Sequence, residues 1–213
     1  MSNEKTKRDR VEEVIQTWPK NLVLFKKTKT SLRIEVRALN LLNPQELDAV
    51  IQLNLLEWGA QYFGTEAEAI RITQKAYADP ARHTLVTVLI DEDKETVIGA
   101  ASVVERDVYG VYPDKNIRAE NLGYFSRLVI AEAYRGQGLG RQLLEEADRL
   151  ADKLGFNELY LFMTEGRESN LYTFYMNKNW TETIEKELPG FGKCLVLTHA
   201  VPKLAPVLRP GHN

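Results

Sequence analysis

The 213-residue chain has one cysteine, Cys194, so no internal disulfide framework is available and the composition is compatible with a reducing compartment. Long hydrophobic runs are also missing. Stretches such as "LVTVLI" at 85–90 fall far short of the roughly 20 residues of a membrane span, and the opening "MSNEKTKRDR" has no apolar signal core. A cytoplasmic protein without membrane contact is expected. Neither sign of charge is in large excess: the formal net charge is −2, which gives no global attraction to a phosphate backbone and argues against a nucleic-acid partner. Metal binding has little to stand on, because His83, His199 and Cys194 match no ligand spacing. There is no G-x-S-x-G elbow, and Ser126 has no evident histidine partner. Internal repeats and low-complexity linkers are absent. With 44% hydrophobic and 27% charged residues, one globular domain is the expectation.

What is present falls into three stretches: an amino-terminal arm at 1–30, a domain at 31–200 and a tail at 201–213. The arm carries eight Lys/Arg against four Asp/Glu, and Val11, Val14, Ile15 and Trp18 predict one apolar face of a short helix. "SLRIEVRAL" alternates like a half-buried strand. "NPQE" at 43–46 supplies an N-cap, a first-turn proline and a capping-box glutamate for one helix, and Thr65 with Glu68 opens a second that stops before Pro80. From His83 the period becomes that of strands, and "DEDKE" predicts a hairpin between 83–91 and 96–109. "YFSRLVI" is a strand, and Leu139, Leu143, Leu144, Ala147, Leu150, Ala151 and Leu154 mark one face of a helix that Gly155 ends. "ELYLFMT" gives a buried strand, "SNLYTFYMNKNW" a short helix, and two closing strands flank "PGFG".

The segment that carries chemistry is "YRGQGLGRQLL" at 134–144, three alternating glycines between two arginines at a strand-to-helix junction. Such a junction aims free backbone N–H groups and the positive end of a helix dipole at an anion. Without Cβ atoms at Gly136, Gly138 and Gly140, phosphate oxygens can approach the amides, and Arg135 or Arg141 can add charge-assisted hydrogen bonds. A tight turn that merely needs positive φ is the plainer alternative. A P-loop is excluded because the Gly-Lys-Ser/Thr ending is missing. A dinucleotide fingerprint has its third glycine one place later. Glu165 could then serve as the ribose-binding acid, but the hairpin-rich stretch before the motif fits a doubly wound sheet poorly.

"RLVIAEAYRGQGLGRQLL" resembles the acyl-CoA-binding signature of the GNAT superfamily of N-acetyltransferases, Arg/Gln-x-x-Gly-x-Gly/Ala, with Arg135, Gly138 and Gly140 at the fixed positions. The order of elements over about 32–200 is similar to the whole family fold. The resemblance implies an α/β (α+β) domain whose mixed, mostly antiparallel sheet has about six to seven strands and about four helices. That sheet would splay between the strands at 124–130 and 158–164. Pantetheine would lie in the opening and the pyrophosphate on Arg135, Gly136, Gln137, Gly138, Leu139, Gly140 and Arg141. Acetyl-CoA is then the co-substrate, with no metal, and a primary amine attacks it directly.

The resemblance also implies roles. Backbone N–H groups at Leu128, Val129 and Ile130, where the family strand bulges, would face the thioester oxygen. Tyr175, five residues before Trp180, matches the family Tyr-x-x-x-Gly-Phe with Asn179 and Trp180 in place of Gly-Phe, and is the candidate general acid. Its alternative is a helix aromatic packed in the core. Asn170 is similar to a cofactor-contacting asparagine but lies two positions closer to the tyrosine. Where many relatives place a glutamate, this chain has Tyr124, so the base stays unassigned among Glu105, Asp107, Glu120 or a water chain. Arg127, inside an apolar strand, must face solvent or pair with an anion; if it faces the cleft, an acidic substrate group is its natural partner. Trp58, Tyr62, Phe63, Tyr109, Tyr112 and Phe191 suggest an acceptor with hydrophobic bulk. Small amine, amino acid, antibiotic and protein lysine all stay open as acceptors, as does a homodimer through the closing strands. A non-catalytic acyl-CoA sensor and a dinucleotide-binding oxidoreductase are the competing functions.

Overall fold

A computed structural model describes residues 21–24 (backbone only), 33–58, 65–91, 94–105 and 121–203. The expected amino-terminal helix, the loop aromatics Tyr62, Phe63, Tyr109 and Tyr112, and the candidate bases Asp107 and Glu120 lie outside these residues. Strands β1 (Asn21–Leu24) and β2 (Arg33–Ala38) precede helices α1 (Pro44–Trp58) and α2 (Glu66–Tyr77). The hairpin β3 (Arg82–Asp91) and β4 (Lys94–Val104) follows, then β5 (Leu122–Ile130), α3 (Leu139–Leu154), β6 (Glu158–Met163), α4 (Asn170–Met176) and the closing pair β7 (Thr181–Leu188) and β8 (Gly192–Ala200). One sheet takes the order β1-β2-β3-β4-β5-β6-β8-β7, antiparallel everywhere except between β5 and β6. The seven strands β2 to β8 with four helices are the expected mixed sheet; β1 adds an edge inside the stretch read as an arm. Mostly antiparallel pairing removes the doubly wound sheet that a dinucleotide fingerprint requires.

Local chemistry accounts for the helix starts. Asn43 Oδ1 accepts from the amides of Gln45 and Glu46 at 3.1 and 3.3 Å, and Thr65 caps α2 through Glu68 N–H. Glu46 does not close back on the Asn43 amide. It accepts from the amide of Asn40 at 2.9 Å and takes both Arg37 guanidinium nitrogens at 2.8 Å, which ties α1 to β2. β2 departs from the half-buried alternation: Glu35 is buried like its neighbours Ile34 and Val36.

Both sheet faces are covered, which is why the central strands are nearly continuous in apolar residues. Val50, Ile51 and Tyr77 pack on Val86, Val88, Ala100 and Val129 on one face. On the other, Leu143, Leu144, Ala147 and Leu150 of α3 pack with Leu85, Ala101, Val103 and Phe125. After α4 the chain turns through Asn179 at φ 60°. Asparagine tolerates this left-handed conformation, so it can stand where the family pattern has glycine. Trp180, 1% exposed, fills the place of the family phenylalanine and stacks on His199 at 5.2 Å.

His199 is buried, which disfavours its charge, but Asp148 Oδ2 at 3.2 Å and the carbonyl of Asn179 outweigh burial and raise its pKa. A raised histidine pKa contributes stability fully present below the unfolded value of about 6.5 and lost as pH rises through the folded one. Asp148→Asn is therefore expected to destabilise by about 1–2 kcal/mol more at pH ~6 than at pH ~8.5, as read from urea unfolding at both values.

Candidate active site

The site begins where two strands part. β5 and β6 pair in parallel only from Leu122–Glu158 to Tyr124–Tyr160. Beyond that point β5 follows β4, but out of simple register: Ser126 faces Ser102 while Val129 faces Ala100, leaving Arg127 and Leu128 opposite Ala101 alone. Arg127 sits at φ 57°. A left-handed non-glycine residue costs about 1–2 kcal/mol, and such bulges re-aim a strand beside a functional cleft. The expected bulge at the head of Leu128–Ile130 is thus a feature of this chain.

Between the parted strands lies a cleft of about 250 Å³. One wall carries Ser126, Arg127 and Leu128 of β5 with Trp58, Ile72 and Arg82; the other carries Phe162, Met163, Glu165, Leu171 and Tyr175, with Phe191 from the closing hairpin. Val129 is turned into the α1–α2 core, so only its backbone can serve a ligand. Ile130 packs against both the α3 core and the Ile34–Ile98–Leu139 cluster.

From the end of β5 a single 3-10 turn (Glu132–Tyr134) leads into the glycine segment. Gly136 and Gly138 have φ of 74° and 81°, and neither would meet a neighbour if given a Cβ. Backbone conformation alone therefore requires two of the three glycines. Gly140 differs: it is helical, and a Cβ there would make only an ordinary 3.8 Å contact with Phe174. Neither strain nor crowding within the chain demands glycine at 140. Leu139 points into the core, so it too offers only backbone, while Gln137 is exposed. The arginines are engaged with protein. Arg135 donates to the carbonyl of Ile130 at 2.9 Å and pairs with Glu57, and Arg141 pairs along α3 with Glu145 at 2.7 Å. Both pairs are exposed, where exchange for a phosphate costs little.

Tyr175 is 5% exposed, held edge-on by Phe125, Phe174 and Trp180, and still lines the cleft. The packing and cleft readings hold together. Burial first, and then the charge of Glu165, push its phenol well above the usual range, so it carries its proton throughout the physiological range. Asn170 lies exposed on the first turn of α4 and is not part of the cleft wall. Glu105 is bound to His83 at 2.6 Å, away from the cleft lining. Tyr124, at the position of the relatives' glutamate, lines the cleft and stacks on Phe162 at 5.9 Å. His83, His199 and Cys194 sit in three separate places, engaged by Glu105, Asp148 and the carbonyl of Gly192. Among the described residues no helix is long and apolar enough to cross a membrane.

Sequence reasoning missed Asn54, Tyr77 and Arg82. They come from α1, α2 and β3 and meet Arg127 only through the tertiary fold, with no local motif to announce them.

A bulged strand, a parted parallel pair and a glycine turn opening a helix are the features that the resemblance to N-acetyltransferases implies. The model of the acetyltransferase (GNAT) family matches residues 47–175, and the chain belongs to that family. Solved structures agree in fold. Aminoglycoside 6'-acetyltransferase type Ii has a TM-score of 0.60 at 16% identity, covering 80% of this chain and 99% of that one. An aminoglycoside 6'-N-acetyltransferase complexed with coenzyme A also gives 0.60, at 14% identity over 80% and 98%. The ribosomal-protein-S18-alanine N-acetyltransferase of Escherichia coli gives 0.55, at 14% identity over 83% and 99%. A search of curated proteins found no match.

The freedom at Gly140 separates ligand space from folding. Gly140→Ala is expected to leave acetyl-CoA affinity within about threefold, whereas Gly140→Val, equally folded, loses roughly tenfold or more; calorimetric titration of both variants checks this. Gly138→Val cannot make this distinction, because its φ of 81° strains any side chain.

Proposed function

We propose that the protein transfers an acetyl group from acetyl-CoA to a primary amine. The observation that carries this reading is the interrupted β5–β6 ladder, bulged at Arg127 and running directly into the glycine turn. Beyond Tyr124 the edge of β5 that faced β6 borders the cleft while the other edge stays on β4, and such free backbone suits the amides of pantetheine. The amides of Leu128 to Ile130 would receive the thioester oxygen. The amides around Gly138 to Arg141 would receive the pyrophosphate, with Arg135 and Arg141 released from their exposed carboxylates.

The amine nitrogen, neutral when it reacts, attacks the thioester carbonyl carbon; a C–N bond forms, the C–S bond breaks, and the products are an amide and the CoA thiol. The amine's surplus proton leaves for solvent or a base, and the departing thiolate needs a donor. Tyr175 supplies that donor as a hydrogen bond. With its phenol held above the ordinary 10 and a thiol near 8.5, complete proton transfer from tyrosine is uphill, so stabilisation of the forming thiolate is the larger part of its work.

A non-catalytic acyl-CoA sensor is the second reading. It is favoured by Glu105 being taken up by His83 and by Tyr124 standing where relatives have an acid, which leaves the β5 wall without a carboxylate among the described residues. Release of CoA thiol above hydrolysis with a panel of primary amines separates the two.

Tyr175→Phe is expected to lower kcat by about 10²-fold or more with acetyl-CoA affinity little changed, as read by thiol release and titration. Undiminished turnover removes Tyr175 from the donor role. Because burial and Glu165 raise its pKa, no alkaline loss of kcat attributable to tyrosine ionisation is expected below about pH 10.

A further inference from the structure

Arg127 is the charged residue of the bulge, and the acetyl-transfer reading gives its side chain no work. It lines the cleft on the wall formed with Trp58, Ile72 and Ser126, away from the glycine turn. Its Nη1 donates to Asn54 Oδ1 at 3.1 Å, and its guanidinium lies over the Tyr77 ring at 5.6 Å from the centroid. Both are neutral. Among the described residues no carboxylate pairs with Arg127, whereas Arg37, Arg71, Arg135, Arg141, Arg149 and Arg167 each have one.

Two features show that this placement is built. Asn54 is itself buried and fixed, its amide nitrogen donating to the carbonyl of Val50 at 2.8 Å, so its Oδ1 is aimed at the guanidinium. The aromatic face of Tyr77, 1% exposed, supports two guanidinium groups, since Arg82 lies at 5.9 Å from the same ring. Arg82 is anchored by the carbonyl of Ala76 at 2.8 Å and by Ser126 Oγ at 3.0 Å. The one carboxylate in the described lining, Glu165, lies beyond the end of β6, so among the described residues of the cleft Arg127 meets no counter-charge. A partly buried cation without a counter-charge is costly, and the cost is offset when a ligand brings the anion.

We propose that Arg127 binds a carboxylate of the acceptor, so that the acceptor is an amine bearing a carboxylate, of the amino-acid class, and not a simple amine or a polycation. This rests on the acetyl-transfer reading for its role but not for its chemistry. The planar guanidinium presents a fork that matches a planar carboxylate. Apolar side chains of Trp58, Ile72, Tyr124 and Phe191 in the same cleft would hold the organic part. With its left-handed backbone at Arg127, the bulge would hold the guanidinium in the cleft while the next amides receive the thioester, so that one feature sets carboxylate and carbonyl at a fixed separation.

The test is calorimetric titration of the CoA-saturated protein with matched pairs: phenylalanine and phenylalaninamide, leucine and leucinamide, glutamate and glutamine. Acetylated product is followed in parallel with acetyl-CoA. At least one acid is expected to bind roughly 10- to 100-fold more tightly than its amide, the size of a charge-assisted hydrogen bond. Arg127→Gln is expected to bring that ratio to about one, with Arg127→Lys intermediate; a purely structural role would weaken acid and amide alike. Equal affinity of acid and amide in every pair, including none measurable for either, overturns the proposal, as does an Arg127→Gln variant that keeps the ratio. Preference for an acid without any acetylated product leaves the carboxylate site standing and defeats the acetyl-transfer reading instead.

Discussion

The molecule is organised around a sheet that stops being continuous. β5 and β6 share three residue pairs and then diverge, and that divergence has to be tolerated by everything around it. Backbone donors and acceptors on a central strand are normally paired, and leaving them beside a cleft is stable only if the surrounding packing over-determines the geometry. The packing does so from both faces. Phe125 and Trp180 meet Tyr175 edge-on and each other at a tilt on the α3 side, while Val129 is held in the α1–α2 core. The left-handed residue at Arg127 is kept in place by this enclosure.

From that parting the rest follows in order. The end of β5 leads through one 3-10 turn into the glycine segment; Gly136 and Gly138, at positive φ, permit the turn there, and α3 begins at Leu139. The α3 helix then crosses the sheet to deliver β6, and the chain beyond its end runs past Glu165 and through Ser169, the cap of α4, to Tyr175. A single connection β5–α3–β6 therefore supplies the cleft's two strand walls and, through α4, its phenol, with the glycine turn between them.

Local signals made most of the fold legible. Period changes, the Asn43 and Thr65 caps and the terminating Gly155 mark element ends within a few residues, because each rests on a short-range hydrogen bond or a backbone preference. The glycine motif was legible for the same reason, although the structure divides its three glycines into two of backbone necessity and one, Gly140, that neither backbone conformation nor crowding within the chain requires. What local pattern could not show was where polar side chains go. Glu46 passes over the nearby Asn43 amide for Asn40 and Arg37, and Glu105 is spent on His83 across the β3–β4 hairpin. The cluster of Asn54, Tyr77, Arg82 and Arg127 draws on four elements, and nothing in any one of them signals the others.

The most direct measurement is thermal unfolding with acetyl-CoA, CoA, NAD and ATP in parallel. A ligand at 100 times its Kd stabilises by about 2.7 kcal/mol, a shift of several degrees for a domain of this size. The account predicts that acetyl-CoA and CoA raise the midpoint and that NAD and ATP do not. No shift with either thioester or thiol, or a shift with NAD, contradicts the assignment of the parted strands and their glycine turn to an acyl-CoA.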